Sequence, residues 1–247
     1  MQLNQLADAA DALTGRLADY RAIDLSRLLL PGIPTYPTHP KYFQMRWCSM
    51  GDPAEMNQLI LGEHTGTHLD APSHFVPGIN DPARKHIHEL PLDRFFGRGL
   101  KLTFGPFAPN NATVTLADIR RWEGAHVPIR PDDVVLLDFQ WGNRWQPGPE
   151  GFAFLDRWPG LARDAAEYMV ERRVKLIGTD CISLDPGDGG GGTLPAHYTL
   201  LPQGVLILEN VANLALLPAV SVFMALPLHI HGGTGSPVRA MAFVPRG

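Results

Sequence analysis

Two cysteines in 247 residues, Cys48 and Cys181, are too few for a disulfide framework. The expectation is a pair of reduced thiols in a cytoplasmic protein. No stretch approaches the ~20 consecutive apolar residues needed to cross a bilayer. The opening MQLNQLADAADALTGRLADY has neither the basic start nor the apolar core of a signal peptide. No long basic run occurs and the formal net charge is −4, so neither nucleic acid nor an anionic membrane is expected as a partner. The glycine-rich stretch 187–192 is not followed by Gly-Lys-Ser/Thr, which excludes a phosphate loop. No serine carries glycine at both flanking offsets of G-x-S-x-G, which disfavours a serine hydrolase. Cys181 has no activating base next to it in sequence, and no internal repeat is present.

What remains is an ordinary globular composition, 45% hydrophobic and 19% charged, long enough for one large domain. Leu3, Leu6, Ala10, Leu13 and Leu17 alternate spacings of three and four, which predicts an amphipathic helix over 3–19. Residues 1–20 thus form a helical segment that packs on its own body or on a partner subunit, and residues 21–247 form the main domain. From Ile23 a short apolar run, broken by Pro31, Pro34 and Pro37, predicts a strand leading into an ordered loop. Buried strands are expected at Leu100–Phe104, Val134–Phe139, Val174–Gly178, Val205–Leu208 and Val220–Leu226, with helices at Leu116–Trp122 and Leu161–Arg173. The alternation is too irregular for eight βα units. The fold class is mixed α/β.

The chemistry concentrates in EHTGTHLDAPSHF. His64, His68, Asp70 and His74 all occupy even positions, so an extended segment projects the four side chains to one side. Two imidazoles and a carboxylate converging on one point suit Zn²⁺, Mn²⁺ or Fe²⁺ and leave positions open for water and substrate. A solvated polar strand face is the competing reading, and three histidines with an aspartate on one face weigh against it. Downstream, His197 and Glu209 flank LPQG. Glu209 closes the apolar strand VLIL, where a carboxylate is costly unless paired or bound to a cation.

His64-Thr-Gly-Thr-His68-Leu-Asp70-Ala-Pro72-Ser-His74-Phe resembles the signature of the metal-dependent cyclase-type hydrolases, the family of bacterial kynurenine formamidase and isatin hydrolase. The resemblance runs from about Ile23 to the C-terminus, through Gly178-Thr-Asp180, Ser183, His197, Glu209-Asn210 and Gly232-Gly-Thr-Gly-Ser-Pro-Val-Arg239. It implies a single swivelling α/β domain with a central mixed, barrel-like sheet flanked by helices, assembled as a homodimer or homotetramer. It also implies one or two zinc or manganese ions per chain, with His64, His68 and Asp70 on one ion. Asp70 then bridges to a second ion held by His197 and Glu209, and His74 stands outside the ligand sphere as acid and base. Where formamidases carry Trp-Pro-Gly-Asp near the start, this chain has Thr35-Tyr-Pro-Thr-His39. The helix ahead of Ile23 and the ending GGTGSPVR look more like the isatin hydrolase branch.

The implied activity is hydrolysis of the C–N bond of an aryl formamide or cyclic amide. A metal-dependent cyclase or lyase and a non-catalytic metal-binding protein are the alternatives. Phe139, Trp141 and Trp145, after an expected strand, and Tyr36 in the proline-rich loop are the candidates for stacking on an aryl substrate, with core or interface filling as the competing role. His86 and His88, and likewise His229 and His231, share a face in pairs and are expected in surface or supporting roles.

Overall fold

The computed structural model describes residues 3–48 and 54–246. Twelve strands are present among them: β1 (Tyr20–Asp24), β2 (Phe43–Trp47), β3 (Met56–Ile60), β4 (His68–Asp70), β5 (Phe96–Thr103), β6 (Thr113–Val114), β7 (Val134–Asp138), β8 (Gly160–Leu161), β9 (Leu176–Thr179), β10 (Leu206–Glu209), β11 (Val220–Pro227) and β12 (Gly235–Pro245). The longer helices are α1 (Leu3–Ala18), α2 (Leu116–Ala125) and α3 (Arg163–Glu171).

Seven strands close on themselves in the order β12-β11-β5-β7-β9-β10-β4, with β4 returning to β12. The β5-β7-β9-β10 run is parallel and the remaining pairings are antiparallel. β12 is long enough to pair with β4 at Gly235–Pro237 and with β1 at Met241–Pro245. This is the mixed, barrel-like sheet flanked by helices that the resemblance implies.

Of the parallel strands, β7, β9 and β10 are apolar runs buried on both faces, as crossover helices require. Alternation divides their side chains: Val134, Leu136, Leu176, Leu206 and Leu208 join one core with Leu69, Phe223 and Ala240. Val135, Leu137, Ile177 and Ile207 join the other, with Ile119 and Trp122 of α2 and Ala165 and Met169 of α3. Each fully buried Leu or Val contributes roughly 1.5–3 kcal/mol by leaving water. Gly178 of β9 lies among Leu136 and Leu208, and a Cβ there would meet the Leu136 side chain at 2.8 Å.

The expected helices and strands appear with shifted ends. Leu161 sits in β8 and α3 begins at Arg163. The ribbon β2–β3 and β12 are not among the expected strands, and of the extended segment expected over 64–74 only β4 is a strand. The glycine stretch at 187–192 is not a featureless loop. Asp188 accepts a hydrogen bond from Gly190 N at 2.9 Å, and the turn leads into the short helix Pro195–Leu200 that carries His197. The amphipathic helix is present as α1, but none of its residues is buried. Met1 and Gln2 of the expected helical segment lie outside the described residues.

Candidate metal centre

The single extended strand expected over 64–74 is not what brings the four side chains together. Only His68–Asp70 is a strand. Gly66 takes a left-handed turn (φ 64°) under Leu29, and His74 ends a 3-10 turn begun by Pro72. Glycine tolerates that φ without a steric cost, and proline is pre-set to start a helical turn, so both residues break the strand where they stand.

β4 pairs antiparallel with β10, His68 opposite Glu209 and Asp70 opposite Ile207. Opposed residues share a face, so His68, Asp70 and Glu209 point the same way. The helix Pro195–Leu200 delivers His197 to the same point. His68 Nε2 lies 3.5 Å from Asp70 Oδ1 and 3.5 Å from Glu209 Oε2. His197 Nε2 lies 3.4 Å from Asp70 Oδ2 and 3.4 Å from Glu209 Oε1. Ligands about 2.1 Å from a tetrahedral ion stand roughly 3.4 Å apart. All four residues are no more than 5% exposed.

Both imidazoles are held from behind. His68 Nδ1 donates to the Gly66 carbonyl at 2.8 Å, which leaves Nε2 buried without a hydrogen-bond partner among the described residues. His197 Nδ1 donates to Asp185 Oδ2 at 2.5 Å. Fixing the far nitrogen as N–H presents the near one as a lone pair, the usual support of a metal-ligating histidine. His64 Nδ1 reaches Asp70 Oδ1 at 2.7 Å, and its Nε2 lies 3.1 Å from the Thr234 hydroxyl. The His74 ring stacks on His64 with centroids 4.1 Å apart. One donor group comprises His68, Asp70 and Glu209 and a second His64, Asp70 and His74, with Asp70 common to both.

The charges show the same need. Burial opposes the imidazolium of His197, but hydrogen bonds to Asp185, Asp70 and Glu209 outweigh it and raise its pKa well above the usual value. Burial works against the Asp70 carboxylate, yet the neighbouring histidines hold its pKa well below the usual range. Two buried carboxylates thus draw positive charge inward, and the donor set fits a divalent cation. His74 is different: burial above all, helped by His64 and His197 and opposed by Asp70, pushes its pKa down to about 4.

A cavity of about 200 Å³ opens over these groups, lined in addition by Tyr36, Thr38, His39, Phe75, Ser183 and Leu194. Tyr36 is therefore at the site. Phe139, Trp141 and Trp145 do not line the cavity, which corrects the expected aromatic pocket. Phe139 and Trp141 are 0% and 1% exposed in the core, and Trp145 packs on Phe154 under the Arg27 guanidinium. The buried carboxylate of Asp180 is the cause. It accepts hydrogen bonds from the backbone N–H groups of Phe139, Trp141 and Gly142 at 3.1, 2.7 and 2.9 Å, folding the loop inward.

His39, Phe75 and Asp185 escaped the sequence reading. Asp185 carried a usable signal, a carboxylate between Leu184 and Pro186 subject to the same desolvation argument as Glu209. His39 lies within the altered Thr35–His39 stretch. Its buried Nδ1 has no hydrogen-bond partner among the described residues, and its ring lies 5.5 Å from that of His64.

Residues 23–186 match the family described as "Putative cyclase". Isatin hydrolase of Roseibium aggregatum is 34% identical over 201 residues, covering 77% of this chain and 75% of that protein. Kynurenine formamidase of Salinibacter ruber is 30% identical over 228 residues, covering 89% and 95%. The solved structure of isatin hydrolase A from Labrenzia aggregata, bound to benzyl benzoate, superposes with a TM-score of 0.84 at 31% identity over 99% of both chains. With its matched segment, its buried His/Asp/Glu cage and its closed barrel, the chain belongs to the cyclase family of metal-dependent hydrolases.

Proposed function

We propose that this protein hydrolyses the C–N bond of an aryl formamide or cyclic amide, using a divalent metal held by His64, His68, Asp70, His197 and Glu209. The observation that carries the reading is the set of 3.4–3.5 Å separations among four buried ligands whose two histidines are fixed from behind. A divalent ion there supplies Lewis acidity and a water of near-neutral pKa. His74, with its pKa near 4, is a neutral imidazole at pH 7. It takes the proton of the attacking water and returns it to the departing nitrogen. Tyr36 and Phe75 line the cavity and give an aryl group an aromatic wall to pack on. His39 lines the same cavity, its buried Nδ1 without a hydrogen-bond partner among the described residues.

Zinc and manganese both suit this donor set, and because Asp70 is shared between two groups it accommodates one ion or two. The two free thiols, Cys48 and Cys181, support a cytoplasmic setting. No helix among the described residues is long and apolar enough to cross a membrane.

We further infer that α1 (Leu3–Ala18), within the N-terminal segment 1–20, and the ribbon β2–β3 meet a second copy of this chain, while residues 21–247 carry the catalytic domain. In the ribbon's register, Phe43, Met45, Trp47, Met56 and Ile60 share one face, each more than half exposed. Leu3, Leu6, Leu13 and Leu17 of α1 are exposed as well. Neither a lone two-stranded ribbon nor a helix of this length is stable unsupported. Two uncovered apolar faces on one chain cover each other in a homodimer, which a homotetramer would contain twice.

Hydrolysis of N-formylkynurenine and of isatin by metal-replete protein, each with a chelated control, tests the activity. Chelator-sensitive turnover of either one supports the proposal and names the branch. Failure of both with metal bound overturns these two substrates and moves a cyclase, or another amide substrate, to the front.

A further inference from the structure

A second histidine cluster stands apart from the candidate centre. His88 lies on the 3-10 turn Ile87–Glu89, and His229 and His231 lie on the loop that joins β11 to β12. The ring centroid of His88 is 5.0 Å from that of His231 and 6.2 Å from that of His229, with His86 at 6.0 Å. Two imidazoles on one tetrahedral ion, each with an M–N bond of ~2.1 Å, place their centroids roughly 5 Å apart. His88 stands at this spacing from His231 and about an ångström beyond it from His229, so the rings must turn for the three nitrogens to meet on one ion.

The hydrogen bonds favour ligation at two of the three positions. His229 Nε2 donates to the His88 carbonyl at 3.2 Å, which leaves its Nδ1 as a lone pair, the same arrangement seen at His68. His231 is exposed and makes no hydrogen bond among the described residues, so its ring is free to turn. His88 Nδ1 accepts from Gly232 N at 3.2 Å, a long contact that gives way on ligation. The exposed carboxylate of Glu89, held by His86 N at 2.7 Å, adds negative charge beside the rings.

We infer that His88, His229 and His231 form a surface site for a borderline divalent transition ion such as zinc, nickel or copper. Imidazole donors exclude calcium and magnesium as natural occupants. An ion there ties the Ile87–Glu89 turn to the loop before β12. That loop ends at Thr234, which is bound through both its N–H and its hydroxyl to Glu63 and stands 3.1 Å from His64. The site is independent of the hydrolytic reading, because none of its three ligands touches the catalytic cavity.

Untagged protein, loaded with its resident metal and desalted, is titrated calorimetrically with Ni²⁺. The wild type is expected to bind one further equivalent, and H229N/H231N none, with kcat/KM unchanged. H231Q alone, which removes no hydrogen bond, should weaken Ni²⁺ by roughly tenfold or more. In Cu²⁺-loaded samples the nitrogen hyperfine pattern should show one nitrogen fewer in H231Q than in wild type. No extra equivalent in the wild type, or an undiminished one in both variants, overturns the site.

Discussion

Asp185 and His197 are joined by a 2.5 Å hydrogen bond between Oδ2 and Nδ1, and the same carboxylate also accepts from the backbone N–H of Ala196 and of His197. Asp185 is wholly buried, so it has no solvent to satisfy it and no freedom to move. It thereby caps the start of the short helix Pro195–Leu200 and sets which nitrogen of His197 faces Asp70 and Glu209.

Replacing Asp185 with Asn removes the negative charge behind His197 while keeping the shape. Metal affinity, measured by competition with a chromophoric chelator, is expected to fall about 10–100-fold. Unchanged affinity would mean that the helix alone orients His197.

His74 and Asp70 separate proton transfer from metal binding. His74→Ala should retain metal by elemental analysis and lose about 10²–10⁴-fold in kcat. Asp70→Ala should lose metal altogether, since Asp70 lies in both donor groups. Full turnover in the first variant, or full metal content in the second, removes the assigned role.

Asp180 makes stability depend on pH. Burial, with a contribution from Asp138 and against three backbone hydrogen bonds, pushes its pKa from 3.8 up to about 6. The folded state therefore holds this proton more tightly than the unfolded chain. The associated stability is complete below pH ~4 and is lost as pH rises through 6. From pH 4 to 7, wild type should lose on the order of 3 kcal/mol relative to Asp180→Asn in urea unfolding. Parallel pH profiles for the two proteins would show that Asp180 titrates normally.

The exposed apolar faces predict assembly. Leu6→Glu/Leu13→Glu on α1 should shift the protein from dimer to monomer in sedimentation velocity, because two charges replace apolar contact at an interface core. Met45→Glu on the ribbon should do the same. A wild type that sediments as a monomer at micromolar concentration rejects the shared surface.

Much of this was legible in local order. The ligand types lie close together in EHTGTHLDAPSHF, and imidazole and carboxylate side chains carry their chemistry wherever they sit. The parallel strands read clearly because burial on both faces demands unbroken apolar runs such as VVLLD. The ribbon β2–β3 did not, since its apolar face is one that the chain leaves uncovered. The aromatic loop misled for a different reason. Its direction is imposed by Asp180, some 40 residues away, and adjacent sequence holds no trace of that hydrogen bonding.

The residue pattern was sufficient for the class of chemistry, because metal affinity follows from donor type. Which atoms converge was a tertiary matter. His68 meets Glu209 only because β4 pairs with β10 in one register, and a slip of one residue would turn every side chain of β4 to the opposite face. His64 and His74 arrive by turns at Gly66 and Pro72, not along one strand, and His197 is aimed by a buried carboxylate twelve residues before it. Such long-range pairings are selected by burial and hydrogen bonding across the whole barrel, a balance that no local stretch of the chain contains.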